Sequence, residues 1–121
     1  MTRIDLPFTS PPLSLNDRHH WAKRNRLNRT VRDITHALAR NQRLDPIEVP
    51  VVVTLHYRQR VKRRIDKDNL YATIKPAIDG LRDAGVLTED DHTRVDPRID
   101  IHPPIPGQPG ALWLELSDPD A

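Results

Sequence analysis

Two short acidic clusters are the residues of this chain best suited to metal chemistry. Asp66 and Asp68 stand one residue apart in the segment 63–69, where arginines and lysines surround them, and a second cluster occupies residues 89–91. Carboxylates offer only acceptor oxygens, which suit a hard divalent cation, and the neighbouring basic side chains can donate to phosphate. A nuclease needs this combination of groups that bind a metal ion and groups that bind phosphate.

Asp66, Asp68 and Asp91 are the expected metal ligands. On an extended segment, side chains two residues apart share a face, so we expect Asp66 and Asp68 to reach one ion. Asp91 follows a second helix, which is predicted below. If this helix returns the chain toward the sheet, Asp91 comes close to the first two carboxylates as a third ligand. Three carboxylates make a typical Mg²⁺ site, with Mn²⁺ as a possible substitute, and leave positions open for water and a phosphate oxygen. The ion would polarise the phosphodiester, help to generate hydroxide and stabilise the leaving 3′ oxygen.

Lys75 is the natural cationic partner of such a site. It could approach the scissile phosphate and offset the charge that develops in the transition state. It could equally form a salt bridge with Asp79 on the surface of a helix, worth about 0.3–0.5 kcal/mol. The spacing leaves both roles open. An Asp-X-Asp pair is itself a weak signal, because we expect about half of such pairs in basic surroundings to be solvated loop charges.

Positive charge is concentrated in the first two thirds of the chain. Residues 1–78 carry 16 Lys/Arg and 7 Asp/Glu, whereas residues 79–121 carry 3 and 10. A solvated surface explains about half of basic segments, but here 14 of the 19 basic residues fall within 18–43 and 58–67, which favours a polyanionic partner. We predict that these residues bind DNA backbone phosphates without reading sequence: Arg29, Arg32, Arg58, Arg60, Lys62, Arg63, Arg64 and Lys67.

Length and composition narrow the class of protein. The 121 residues suit one domain over 1–121, and no apolar run has the length of a membrane span, so we expect a soluble, cytoplasmic protein. The chain has no cysteine, so any metal must be bound by carboxylates or by the six histidines. We expect no small-molecule cofactor beyond the metal.

The first half of the chain predicts a strand, a helix and a second strand. Residues 3–8 alternate in polarity, and residues 16–43 repeat apolar side chains at helical spacing, with the stripe formed by Leu27, Val31, Ile34 and Leu38. The segment that enters this helix contains His19 and His20, which could face a substrate, although adjacent histidines are more often surface residues. Residues 49–57 predict a central strand, in which His56 is more plausibly a half-buried strand residue than a catalytic one.

The second half predicts a helix and two strands. Pro76 would cost about 3 kcal/mol inside a helix, so we expect a loop or broken turn over 68–73, with Thr73 as the N-cap, and a helix that ends at Gly85. Residues 93–102 and 111–116 alternate in polarity and predict a hairpin with a long Pro/Gly-rich loop. The expected fold is an α/β (α+β) domain in the order β-α-β-α-β-β, a small mixed sheet with two helices packed on it.

These residues resemble the RusA family of Holliday-junction resolvases, endonucleases of phages and prophages. The resemblance covers nearly the whole chain in element order. It rests on the basic residues that lead into Asp66-Lys67-Asp68-Asn69-Leu70, and on the downstream positions that follow: Lys75, Asp79, Leu81, Ala84, Gly85, Asp90 and Asp91. In this chain residues 71–74 separate the Asp-Asn pair from Lys75, and the family's lysine follows that pair more closely.

The resemblance implies a function and a partner. Asp66, Asp68 and Asp91 would be the catalytic metal-binding carboxylates, and Lys75 the essential lysine. The family is homodimeric and Mg²⁺-dependent, and it resolves four-way DNA junctions by paired symmetric incisions. A two-fold junction calls for two active sites related by two-fold symmetry, so a homodimer is physically sensible.

Two other functions compete with this hypothesis. A non-catalytic DNA-binding module with a degenerate acidic site would show salt-sensitive binding that chelators do not affect. A metal-dependent nucleotide hydrolase would need a closed pocket with base-stacking groups, and the chain has only two Trp, two Tyr and one Phe.

Overall fold

The computed structural model describes residues 2–13, 21–48, 50–87 and 94–119. Its elements are strand β1 (Thr2–Leu6), helix α1 (Trp21–Asn41), strand β2 (Val51–Arg58), a 3₁₀ helix (Lys67–Leu70), helix α2 (Tyr71–Asp83), strand β3 (Val95–His102) and strand β4 (Ala111–Ser117). The mixed α/β class with a small sheet and two helices is therefore confirmed. Neither described helix is long and apolar enough to cross a membrane.

The four strands form one mixed sheet in the order β1-β4-β2-β3. Strand β2 pairs with β3 in parallel and with β4 antiparallel, and β4 also pairs antiparallel with β1. The odd-numbered side chains of β2, such as Val53 and Leu55, join the buried core with residues of both helices. The even-numbered side chains, which include Thr54 and His56, point to the opposite face. We call this opposite side the open face of the sheet.

The predicted hairpin of the last two strands is wrong. Strand β4 lies between β1 and β2, so the Pro-rich connection 103–110 carries the chain past β2 instead of pairing β4 with β3. Strand β3 is an edge strand, a position that tolerates Pro97 because one side of its ladder needs no donor. Alternation in the sequence identified both strands but contains no information on which strands pair.

The predicted start of the second helix is also wrong. Asp66 caps the 3₁₀ helix, and α2 begins at Tyr71, so Pro76 lies inside the helix. Thr73 is not an N-cap. Its hydroxyl donates to the carbonyl of Leu13 at 2.6 Å and accepts from the Leu13 amide at 3.3 Å. The end was predicted correctly, since Gly85 has φ +76° and Val86 N donates to Leu81 O at 3.0 Å.

Helices α1 and α2 pack closely through small residues. A Cβ on Gly80 would lie only 2.9 Å from Thr35 Cβ and closer still to Arg32 O. The fully buried residues of α1 are Val31, Thr35 and Ala39. The helix is thus turned relative to the predicted apolar stripe, whose other members are half-buried. The predicted helix start at residue 16 lies outside the described residues.

Candidate functional site

Asp66 and Asp68 lie together at the beginning of the 3₁₀ helix; we call this pair the acidic turn. Asp66 has an extended backbone (φ −85°, ψ 126°), and its Oδ1 accepts from Asp68 N at 3.0 Å. The expectation that both residues lie on an extended segment is wrong, because Asp68 is helical. Both side chains are exposed, and neither carboxylate forms an ion pair with the described part of the chain. Asp66 Oδ2 and both oxygens of Asp68 can therefore face a ligand.

The loop 59–65 between β2 and the acidic turn contains four of the eight predicted phosphate-binding residues, and Lys67 lies within the turn. Gln59 is 5% exposed and organises the loop, donating from Nε2 to Arg63 O at 2.9 Å and from its amide to His102 O at 3.2 Å. The basic side chains around it reach solvent: Arg60, Lys62, Arg63, Arg64 and Lys67. Arg58 differs, because it is half-buried on β2 and donates from Nη2 to Pro109 O at 3.3 Å.

Arg29 and Lys75 line one groove of about 450 Å³ between α1 and α2. Arg32 also lines it, but its guanidinium donates to both carboxylate oxygens of Asp83, from Nε at 2.6 Å and from Nη2 at 2.8 Å. This contact raises the pKa of Arg32 and lowers that of Asp83. Arg32 is thus engaged within the protein, whereas the exposed Arg29 is better placed to meet a phosphate.

Lys75 is exposed on α2. The sequence left two roles open for it, an approach to phosphate and a salt bridge with Asp79. Asp79 pairs with Arg82, at 3.3 Å, and among the described residues no ion pair joins Asp79 to Lys75. Lys75 also borders a second, mainly apolar groove of about 260 Å³ between α2 and β3. The cation is therefore available to a ligand on this side of the helix.

Asp91 lies outside the described residues, as do His19 and His20. The described segments that flank residues 88–93 both lie near the amino end of β2. Leu87 forms a bridge with Ile47, and Val95 pairs with Val51. The prediction that Asp91 joins the acidic turn stays a prediction.

A second group of metal-ligand side chains lies on the open face of the sheet. His56 Nδ1 is 2.8 Å from His102 Nε2, and the Oδ2 atom of Asp100 is 3.7 Å from the first and 3.8 Å from the second. We call these three residues the histidine cluster. Sequence reasoning missed it. The available signal was that Asp100 and His102 are two residues apart on a strand and therefore share a face.

Aromatic stacking holds the histidine cluster. The indole of Trp113 on β4 lies 5.1 Å from the His56 ring, nearly parallel to it, and 5.2 Å from the His102 ring. The guanidinium of Arg3 lies over the same indole, 4.5 Å from the ring centroid. Burial lowers the pKa of His56 despite the nearby carboxylate of Glu115, so the neutral imidazole is favoured.

Comparison with known proteins gives one distant relative and no family assignment. No family model matches the chain. The chain is 30% identical over 88 residues to an uncharacterized protein of Xylella fastidiosa (strain Temecula1). The match takes in 69% of this chain and 58% of that protein, so the chain spans little more than half of its relative.

Proposed function

We propose that this chain is a metal-dependent endodeoxyribonuclease of the RusA type that resolves four-way DNA junctions. The observation that carries the proposal is the acidic turn. Two exposed carboxylates lie within one turn, unpaired within the described chain, and directly follow an exposed basic loop. Exposed ion pairs are worth little, so the lack of arginine partners does not by itself separate a metal site from a solvated pair. It does leave the carboxylate oxygens open, and such oxygens suit a hard divalent cation.

The residues fit Mg²⁺ by their chemistry. Asp66 Oδ2 and the oxygens of Asp68 offer acceptor ligands, and Asp91 is the proposed third carboxylate. When bound, the ion would polarise the phosphodiester and help to generate the attacking hydroxide. Lys75, which Asp79 does not neutralise, would approach the scissile phosphate and offset charge in the transition state.

The basic surface would position the DNA backbone. The loop residues Arg60, Lys62, Arg63 and Arg64 lie directly before the acidic turn, so phosphates that they bind would be held close to the metal. Arg29 extends this surface onto α1. Contacts of this kind depend on salt and carry no sequence information, as structure-selective binding requires.

A homodimer is part of the proposal. A four-way junction has two-fold symmetry, and paired incisions need two active sites related in the same way. The mass of the untagged chain in solution, measured by light scattering, should be twice that of one chain. A monomer that cuts single strands independently would contradict the paired mechanism but not the nuclease activity.

The direct test is incision of a synthetic four-way junction by purified wild type and by Asp68→Asn. Losing a metal ligand removes several kcal/mol of transition-state stabilisation, so we expect a rate loss of roughly 1,000-fold. Junction binding measured in Ca²⁺ should change little. Asp45→Asn, at an exposed aspartate after α1, is the matched control and should cut at the wild-type rate.

The DNA-binding module makes the opposite prediction. In that case the wild type binds the junction, chelators leave binding unchanged, and no strand is nicked at any concentration of Mg²⁺ or Mn²⁺. That outcome would refute the enzyme proposal.

A further inference from the structure

The histidine cluster joins two neighbouring strands on the side of the sheet away from the helices. In the parallel pairing of β2 with β3, His56 is opposite Asp100, and His102 is opposite Arg58. His56 and His102 are therefore diagonal neighbours on one face, and Asp100 lies on the same face directly opposite His56. The arrangement follows from strand register, so it does not depend on the conformation of a loop.

The three ligand atoms have the spacing of a metal's coordination face. With metal–nitrogen bonds of about 2.0–2.1 Å, the ligand atoms of a tetrahedral site lie roughly 3.3 Å apart. The observed separations of 2.8, 3.7 and 3.8 Å lie on both sides of that value. Shifts of about 0.5 Å in the ligand atoms would bring all three separations to the tetrahedral value.

A hydrogen bond between two neutral imidazoles does not account for the whole cluster. It explains the 2.8 Å contact, but Asp100 is too far from either nitrogen to accept a good hydrogen bond. Nor is Asp100 held by its strand neighbour Arg98, which pairs with Asp96 at 2.9 Å. The carboxylate approaches both ring nitrogens without bonding to either, as expected of ligands around a common ion.

We propose that His56 Nδ1, His102 Nε2 and Asp100 Oδ2 bind a divalent transition-metal ion of the Zn²⁺ class. Two imidazoles and one carboxylate are a zinc ligand set, and three protein ligands leave a fourth position for water or another oxygen ligand. Imidazole ligands disfavour Mg²⁺, so this site is separate in kind from the acidic turn. The inference does not rest on the proposed nuclease activity.

The surroundings of His56 supply independent support. Its Nε2 is buried, has no hydrogen-bond partner among the described residues and lies 3.7 Å from Glu115 Oε2. A metal on Nδ1 would leave the ring proton on Nε2, close to this carboxylate. Metal-bound histidines commonly donate their other N–H to such a group, which fixes the tautomer and the ring orientation. Trp113, stacked on both rings, limits their rotation.

The test is a metal titration of the untagged, chelator-treated full chain. Co²⁺ serves as the spectroscopic probe, and Zn²⁺ is added as a competitor. We expect one Co²⁺ per chain, with the visible absorption of a tetrahedral ion, and stoichiometric displacement by Zn²⁺. His102→Gln and Asp100→Asn, at partly exposed positions, should each weaken binding by roughly 100-fold, and Glu115→Gln by about 10-fold.

His36→Gln is the matched control, because it removes a half-buried histidine on α1 and should leave Co²⁺ affinity unchanged. His56→Gln changes a buried residue, so circular dichroism must show that this variant is folded before its affinity is compared. The proposal is overturned if the wild type binds no Co²⁺ tightly, or if His102→Gln and Asp100→Asn bind like the wild type. Loss of the ion in Asp66→Asn instead would assign it to the acidic turn and also overturn the proposal.

Discussion

The acidic turn and the histidine cluster are two candidate metal sites built in opposite ways. The acidic turn comes from residues two apart in sequence, exposed at the head of a helix and free of ion pairs within the described chain. The histidine cluster joins ring nitrogens 46 residues apart, held by strand pairing and by stacking on Trp113. Exposed carboxylates suit a hydrated, exchangeable Mg²⁺, whereas a preorganised imidazole pair suits a tightly held ion.

The strongest test of this comparison measures junction incision and Co²⁺ affinity for a variant of each site. Asp68→Asn should lose roughly 1,000-fold in junction incision and retain wild-type Co²⁺ affinity. His102→Gln should bind Co²⁺ roughly 100-fold more weakly and cut within about 2-fold of the wild type when Mg²⁺ is supplied, since its ring is not a ligand of the acidic turn. Parallel titrations on one preparation of each variant measure both quantities. If either variant loses both properties, the two sites are not independent.

The next largest effect concerns the helix pair that carries the acidic turn. Gly80→Ala should destabilise the protein by about 1–3 kcal/mol, although alanine favours helix, because its Cβ would meet the backbone of α1 at Arg32. Urea unfolding followed by circular dichroism measures the loss.

Gly107→Ala is the matched control for Gly80→Ala. A Cβ at this position would have no described neighbour within 4 Å, so only the φ of +79° would strain an alanine, and the expected loss is about 1 kcal/mol. A smaller loss at Gly80 than at Gly107 would contradict the close helix packing.

Thr73→Val tests how the chain before α1 is attached to the helix that follows the acidic turn. Removing the hydroxyl leaves the buried amide and carbonyl of Leu13 without this partner, so we expect a loss of about 1–3 kcal/mol in urea unfolding. Thr30→Val, whose hydroxyl donates to Arg26 O on an exposed face, should change stability by less than about 0.5 kcal/mol. Similar small changes in both would show that the Leu13 contact contributes little.

The smallest expected effect is at the ion pair of Arg32 and Asp83. Both side chains are partly exposed, so Asp83→Asn should cost only about 0.5–1 kcal/mol at pH 7. The pKa of Asp83 is lowered from 3.8 by Arg32, so its contribution is present above that pH and disappears as the pH falls through the lowered value. The stability difference between wild type and variant, measured from pH 7 down to pH 2, should therefore vanish at the acidic end. A difference that persists at pH 2 would assign the effect to packing.

The sequence was sufficient to locate the acidic turn but not to predict its backbone geometry. Two aspartates among basic residues are visible in the chain itself, and the basic loop before them is exposed as expected. The predicted helix start at Thr73 was wrong because it was chosen to avoid the cost of about 3 kcal/mol for a proline inside a helix. Local propensity is a weak guide where tertiary contacts, here the bonds from Thr73 to Leu13, hold the segment.

The histidine cluster could not be predicted from the alternation of polarity along single strands. Alternation places His56, Asp100 and His102 on particular faces of their strands, but their meeting depends on the parallel pairing of β2 with β3. A hairpin of β3 with β4, the simplest interpretation of two successive strands, does not specify that β2 pairs with β3. Long-range pairing is the information that periodicity lacks.

Mapping of incisions on a four-way junction tests the proposed function most directly. With Mg²⁺ the wild type should cut two opposite strands at symmetric positions, while Asp68→Asn binds the same junction and leaves all four strands intact. A wild-type protein that binds the junction but cuts no strand across a titration of Mg²⁺ and Mn²⁺ would contradict the account.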